Sequence, residues 1–295
     1  MNPQSFIQML WDTGHFWDPG CPNANNVVQS DLPFLTLDNP AVKEAARSYQ
    51  LSDANLLPLV VRHHSRLPNY DGEVGPATME LATLRRCPMP DHAPPANASF
   101  HYADPGLQRA VETMQRLAEA QGSGSWPAAG CDPQRTDTHS IRVGIDTTRC
   151  PAKIKAYLTE ALKHCSAAYA EIGLAVRYVL DGSKAEIVKR FEALQGSVIG
   201  WNEFPQRGTC SQEVQGRLDT DFQPDMNLWA NLECHETGHG VALEHTNGGI
   251  MNPSILLVWP LTWKNDPSFN VLKRYFGGEP IKGINWSWGD GTEKY

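Results

Sequence analysis

The chain has 295 residues and a net charge of −8. That balance speaks against a nucleic-acid or anionic-membrane surface, and no apolar run approaches the length of a membrane span. A hydrophobic share of 41% is ordinary for a globular chain, and the length suggests two domains, or one with a substantial extra segment.

Residues 1–36 are rich in Asn, Pro, Gly and Asp, show little periodicity, and read as an N-terminal extension. The opening MNPQSFIQMLWDTGHFW lacks a positive stretch, a long apolar run and a small-residue cleavage site, so no secretory signal is expected. Residues 37–91 carry a helical pattern, AVKEAARSYQ, then a turn-rich YDGEVGPAT, then MELATLRR. Residues 92–136 read as a linker bounded by Pro/Gly/Ser-rich sequence and enclosing one helical stretch, GLQRAVETMQRLAEA.

From residue 137 to the end the pattern alternates between strand and helix. Ile141, Val143 and Ile145 share one face of a strand. Pro151 suits a first helical turn, after which Ile154, Leu158, Leu162, Cys165 and Tyr169 recur at helical spacing until Gly173. Further strands are expected at 174–179, 197–201 and 214–222. The long helical connection between the first two predicts a parallel pair.

The chemistry concentrates in residues 231–255, NLECHETGHGVALEHTNGGIMNPSI. Asp225 can cap a helix beginning near Met226. On it Leu228, Leu232, His235 and His239 fall on one stripe, so the two imidazoles lie one turn apart and can converge on a single ion. Two imidazoles suit zinc. Glu236 follows the first of them and is placed to take a proton from a water beside the metal. A straight helix would carry His245 away from that side, so the chain must turn between about Gly240 and Leu243 for His245 to return as a third ligand. With only 10 histidines in the chain, a third one at this offset makes the pattern far more specific than the first two.

HETGHGVALEH resembles the metzincin zinc motif HExxHxxGxxH. Met251-Asn252-Pro253 is similar to the Met-turn of its matrixin (matrix metalloproteinase-like) branch, in which the methionine packs and does not bind metal. The strand–helix–strand order before the motif, and 266–277 (DPSFNVLKRYFG) as a closing helix, extend the likeness over about 137–280. The resemblance implies an α+β metzincin catalytic domain, with a twisted mixed sheet and an active-site helix, in residues 137–295. It implies a zinc endopeptidase with Glu236 as catalytic residue, His235, His239 and His245 as metal ligands, and calcium as a further ion. Ala242 stands where the family has the glycine that turns the chain toward the third histidine.

Residues 37–91 resemble a small all-helical peptidoglycan-binding-like domain, carried by AVKEAARSYQ and DGEVGPAT with MELATL. In matrixin zymogens such a domain is the propeptide and ends in a cysteine switch, RCGxPD. Here Arg86, Cys87, Pro90 and Asp91 match, with Pro88 in place of glycine. The resemblance implies that Cys87 blocks the fourth metal position in a latent form, with Arg86 paired to Asp91. None of the seven cysteines forms a C-x-x-C pair; three bridges plus one switch thiol and seven reduced thiols both remain open.

The resemblance implies a protein or peptide substrate, aligned by the strand within 214–222 as a sheet edge, and a pocket walled by residues 254–263 (SILLVWPLTW), whose apolar content predicts a preference for a bulky apolar residue there. Peptidoglycan, bound through the N-terminal module, is a second expected partner. Two other readings stand beside this one: a cell-wall-targeted zinc hydrolase, and a non-catalytic binding protein with a relic site. The family implies an extracellular or exported protein; intracellular and particle-delivered routes stay open.

Overall fold

The computed structural model describes residues 1–63, 70–121, 140–181, 185–204, 214–241 and 243–254. Ala242, Cys131, Cys210, residues 122–136 of the linker, residues 255–263 of the apolar wall and the 266–277 closing helix lie outside the described residues. The fold is α+β with a mixed five-stranded sheet. The chain divides into two compact units, residues 1–123 with 245–261, and residues 124–244 with 262–295.

The first unit is helical. Helix α1 (Pro3–Asp12) starts because Asn2 accepts a hydrogen bond from the Ser5 amide at 2.8 Å and Pro3 needs no amide partner in the first turn. It buries Phe6, Ile7, Leu10 and Trp11. Helices α2 (Pro40–Ser52), α3 (Leu56–Arg62) and α4 (Pro76–Leu81) follow. Val42, Ala45, Ala46, Tyr49, Leu59 and Leu81 share one hydrophobic cluster with the α1 residues and with Phe16 and Trp17. Residues 1–36, read from composition as an extension, therefore supply part of the same core as the helices after them. The sequence signal was there in Phe6, Ile7, Leu10 and Trp11, at helical spacing inside a polar stretch. Helix α5 (Pro105–Gln121) buries Leu107, Ala110, Val111 and Met114.

The second unit holds the sheet: β1 (Ser140–Asp146), β2 (Ala175–Leu180), β3 (Ile187–Glu192), β4 (Gly200–Asn202) and β5 (Val214–Asp219), in spatial order β2-β1-β3-β5-β4. Helix α6 (Ala152–Ala170) connects β1 to β2, which pair in parallel, Val143 opposite Tyr178. Ile154, Leu158, Leu162, Cys165 and Tyr169 are its buried stripe. β3 and β5 continue the sheet in parallel and β4 closes it antiparallel, Trp201 opposite Arg217. Helix α7 (Met226–Gly240) packs on α6.

Two features depart from the sequence expectations. Strand β3 was not foreseen, because the inward face of IVKRFE reads Ile187, Lys189, Phe191 and a lysine breaks the apolar alternation. Lys189 is nevertheless fully buried, paired with Glu233. The strand at 214–222 is also not a sheet edge. β5 has β3 on one side and β4 on the other, so among the described residues the edge on this side is β4.

None of the described helices is long and apolar enough to cross a membrane.

Candidate functional site

Helix α7 begins where the Asp225 carboxylate accepts from the Leu228 amide at 2.9 Å. From Trp229 to Gly240 every residue is buried, so this is an interior helix whose polar side chains all need partners. It stops at Gly240, where an added Cβ would come within 2.5 Å of Ile187 Cδ1 and 2.9 Å of Asn202 Nδ2. Only glycine lets the helix end lie this close to β3 and β4. The Leu243 amide then bonds back to the Gly238 carbonyl at 2.9 Å, and the chain leaves the helix axis.

That turn has a consequence for His239. Its Nδ1 lies 2.8 Å from the Leu243 carbonyl oxygen, which can only accept. Nδ1 therefore carries the proton, and Nε2 keeps a lone pair for a metal or a proton. Phe204 flanks the ring, with centroids 5.3 Å apart. The rings of His235 and His239 stand edge to face at 4.8 Å. Each offers a nitrogen, and these nitrogens lie within 4.8 Å of one another.

Glu236, fully buried, faces the edge strand. A Cβ on Gly200 of β4 would meet Glu236 Oε1 at 3.1 Å, its Cγ at 3.2 Å and the Arg217 carbonyl at 3.1 Å. A glycine in the edge strand thus makes room for this carboxylate.

The other face of α7 carries Glu233 and Thr237, one turn apart. Lys189 reaches from β3 to Glu233 Oε1 at 2.6 Å and to Thr237 Oγ1 at 2.8 Å, and Thr237 donates to Glu233 Oε1 at 2.9 Å. The Tyr178 hydroxyl lies 3.2 Å from Thr237 Oγ1, and burial, with the Glu233 charge added, holds its pKa well above the ordinary range. Tyr169 donates from α6 to the Cys234 carbonyl at 2.6 Å. These contacts fix the rotation of α7 on the sheet, and with it the direction in which His235, Glu236 and His239 project.

The remaining sequence-predicted residues belong to the first unit. The Cys87 amide donates to the Pro253 carbonyl at 2.9 Å, and Arg86 forms an antiparallel bridge with Ser254. The cysteine segment thus runs against the Met-Asn-Pro stretch. Met251 is fully buried and its carbonyl accepts from the Thr246 amide at 2.9 Å. Asn252 is pinned by Asp53, which follows α2: its Nδ2 reaches Asp53 Oδ1 at 3.0 Å, while its Oδ1 accepts from the Ala54 amide at 3.1 Å. Ser254 donates to the other oxygen of Asp53.

Arg86 pairs with Asp91 at 2.8 Å, and Asp91 reaches further than the sequence suggested. Its Oδ1 lies 2.7 Å from His245 Nδ1, its Oδ2 lies 3.1 Å from His15 Nε2, and its amide donates to the Thr13 carbonyl. Burial alone would raise this carboxyl, but the Arg86 guanidinium, His15 and the His245 bond hold it well below the usual carboxylate range. Cys87 and His245 each offer a donor atom, and the two atoms lie within 4.8 Å.

The five described cysteines, Cys21, Cys87, Cys150, Cys165 and Cys234, are thiols and not disulfides. Four participants escaped the sequence reading: Lys189, Glu233, Asp53 and His15. The first three look like ordinary surface charges in sequence, and His15 stands far from any motif.

No protein-family model matches the chain, and no curated protein matches it in sequence.

Proposed function

We propose that this protein is a zinc metalloendopeptidase of the metzincin type, made as a latent proenzyme. In this reading His235, His239 and His245 hold the ion, Cys87 takes the fourth position in the latent form, and residues 37–91 act as a peptidoglycan-binding-like propeptide. The donor set fits: three imidazoles and a thiolate, without a carboxylate oxygen, suit zinc far better than calcium or magnesium. When bound, zinc would polarise a peptide carbonyl and make water acidic enough to react near neutral pH.

The observation that carries the reading is the His239 Nδ1 bond to the Leu243 carbonyl. It makes Nε2 the ligand atom of a helix-borne His pair, and it is formed by the turn that leads toward the third histidine. The Asp91 carboxylate acts in the same way on His245. Glu236 serves as the base that accepts a proton from the attacking water and later delivers one to the leaving amine. Its fully buried carboxylate is held beside the Gly200 backbone. A substrate strand would add to β4, the sheet edge on that side among the described residues, and pass Glu236 there.

The test is zinc-edge X-ray absorption on the intact protein and on Cys87→Ser, with casein hydrolysis measured in parallel. One sulfur in the intact zinc shell, lost in the variant together with a gain of activity, is the expected result. An intact protein without zinc overturns the reading. Zinc without sulfur overturns the latency part alone.

A further inference from the structure

The Asp91 carboxylate is buried inside the first unit, and two groups face it independently of His245, the Arg86 guanidinium and His15, while the Asp91 amide donates to the Thr13 carbonyl and fixes the backbone. His15 is itself fixed, its Nδ1 3.1 Å from Ser48 Oγ of α2. The final acceptor in this chain of contacts is aimed at Nδ1 of His245, the atom whose bonding decides which ring nitrogen is left for a metal.

Resting on the metal reading above, we propose that Asp91 is the positioning residue of the third histidine: the N-terminal region supplies not only a blocking thiol but the carboxylate that orients His245 and strengthens its hold on the ion. The sequence suggests a smaller part for Asp91, a counter-charge to Arg86. With Arg86 on one side and His15 on the other, Asp91 accepts from His245 Nδ1–H and keeps Nε2 as the ligand. Residues 13–15, outside the cysteine motif and its helices, belong to the same device. Separating the N-terminal region from 245–254 would therefore remove a metal-supporting contact as well as the thiol, and the freed enzyme would hold zinc less tightly than the latent one for two reasons.

The experiment is zinc release from the intact full-length protein to a chromogenic chelator, comparing wild type with Asp91→Ala and Asp91→Asn. Thermal unfolding of each metal-stripped chain serves as the fold control. Release from Asp91→Ala should be faster by about 10–100-fold, with Asp91→Asn between it and wild type, because an amide oxygen still accepts from Nδ1–H. That graded order, at unfolding midpoints that do not track it, is not what a merely structural role produces. If Asp91→Ala does not fold, the Asn variant carries the comparison: faster release supports the inference and wild-type release rejects it. Zinc-loaded wild type with equal release from both variants rejects this inference alone; wild type without zinc rejects it together with the metal reading.

Discussion

Lys189 and Glu233 form an ion pair, 2.6 Å between Nζ and Oε1, with both side chains fully shielded from water. Lys189 is in the middle of the sheet and Glu233 is two residues before His235. The pair therefore ties the proposed active-site helix to the sheet, shielded from solvent.

Removing one partner leaves an uncompensated charge in the interior, which costs about 3–5 kcal/mol. Lys189→Met should lose that much in urea unfolding. The double replacement Lys189→Met with Glu233→Leu should recover most of it, because two apolar side chains leave no charge behind. Equal stability of Lys189→Met and wild type would show that the pair does not hold α7 in place.

Gly200→Ala tests the space around Glu236. The new Cβ would sit 3.1 Å from Oε1 and 3.1 Å from the Arg217 carbonyl, so either the carboxylate or the edge strand must shift by a few tenths of an ångström. A small displacement of a reacting group is expensive in rate. On the proposed reading, peptidase activity measured without the Cys87 block should fall about tenfold with the zinc content unchanged. Full activity would mean that Glu236 does not work from the position it occupies here.

Glu236→Gln keeps the shape and removes the base. Hydrolysis should drop by about 10²–10⁴-fold while zinc stays bound, as read by metal analysis beside a casein assay. Activity within a factor of two of wild type would eliminate Glu236 as the base.

Asp12 gives the first unit a pH dependence. Burial pushes its carboxyl up to about 6, against a lowering hydrogen bond from Gln8. Between about 4 and 6 the folded state keeps a proton that the unfolded chain, with an ordinary Asp near 3.9, has already released. Stability from this group is thus complete at about pH 4 or below and declines as pH rises through 6. Asp12→Asn should raise the thermal midpoint at pH 7.5 by roughly 2–4 °C and leave it unchanged at pH 4. A drop at pH 7.5 would contradict the buried, proton-holding state.

Much of the fold was legible where neighbours in sequence determine it. The α6 stripe follows from a spacing of three and four residues. The α7 start follows from Asp225 capping Leu228, and the His235–His239 pair follows from one helical turn. Strand β1 and its parallel pairing with β2 follow from alternation and from the length of the helical connection. The extension at 1–36 and strand β3 were harder because composition concealed them. Asn, Pro and Gly outweighed the buried face of α1, and a charged residue interrupted the inward face of β3.

From its sequence alone the chain determines which residues can act: two imidazoles and a carboxylate on one helix, a third imidazole after a turn, and a cysteine in an Arg-Cys…Pro-Asp segment. Only the tertiary structure decides what holds them. Lys189 meets Glu233 across 44 residues of chain, and Asp91 meets His245 across 154. No local pattern encodes such pairs, because a charge is buried only where a distant partner and the exclusion of water coincide. The edge strand likewise became identifiable only when β5 was found flanked on both sides, since strand order depends on which surfaces pack and not on their succession along the chain.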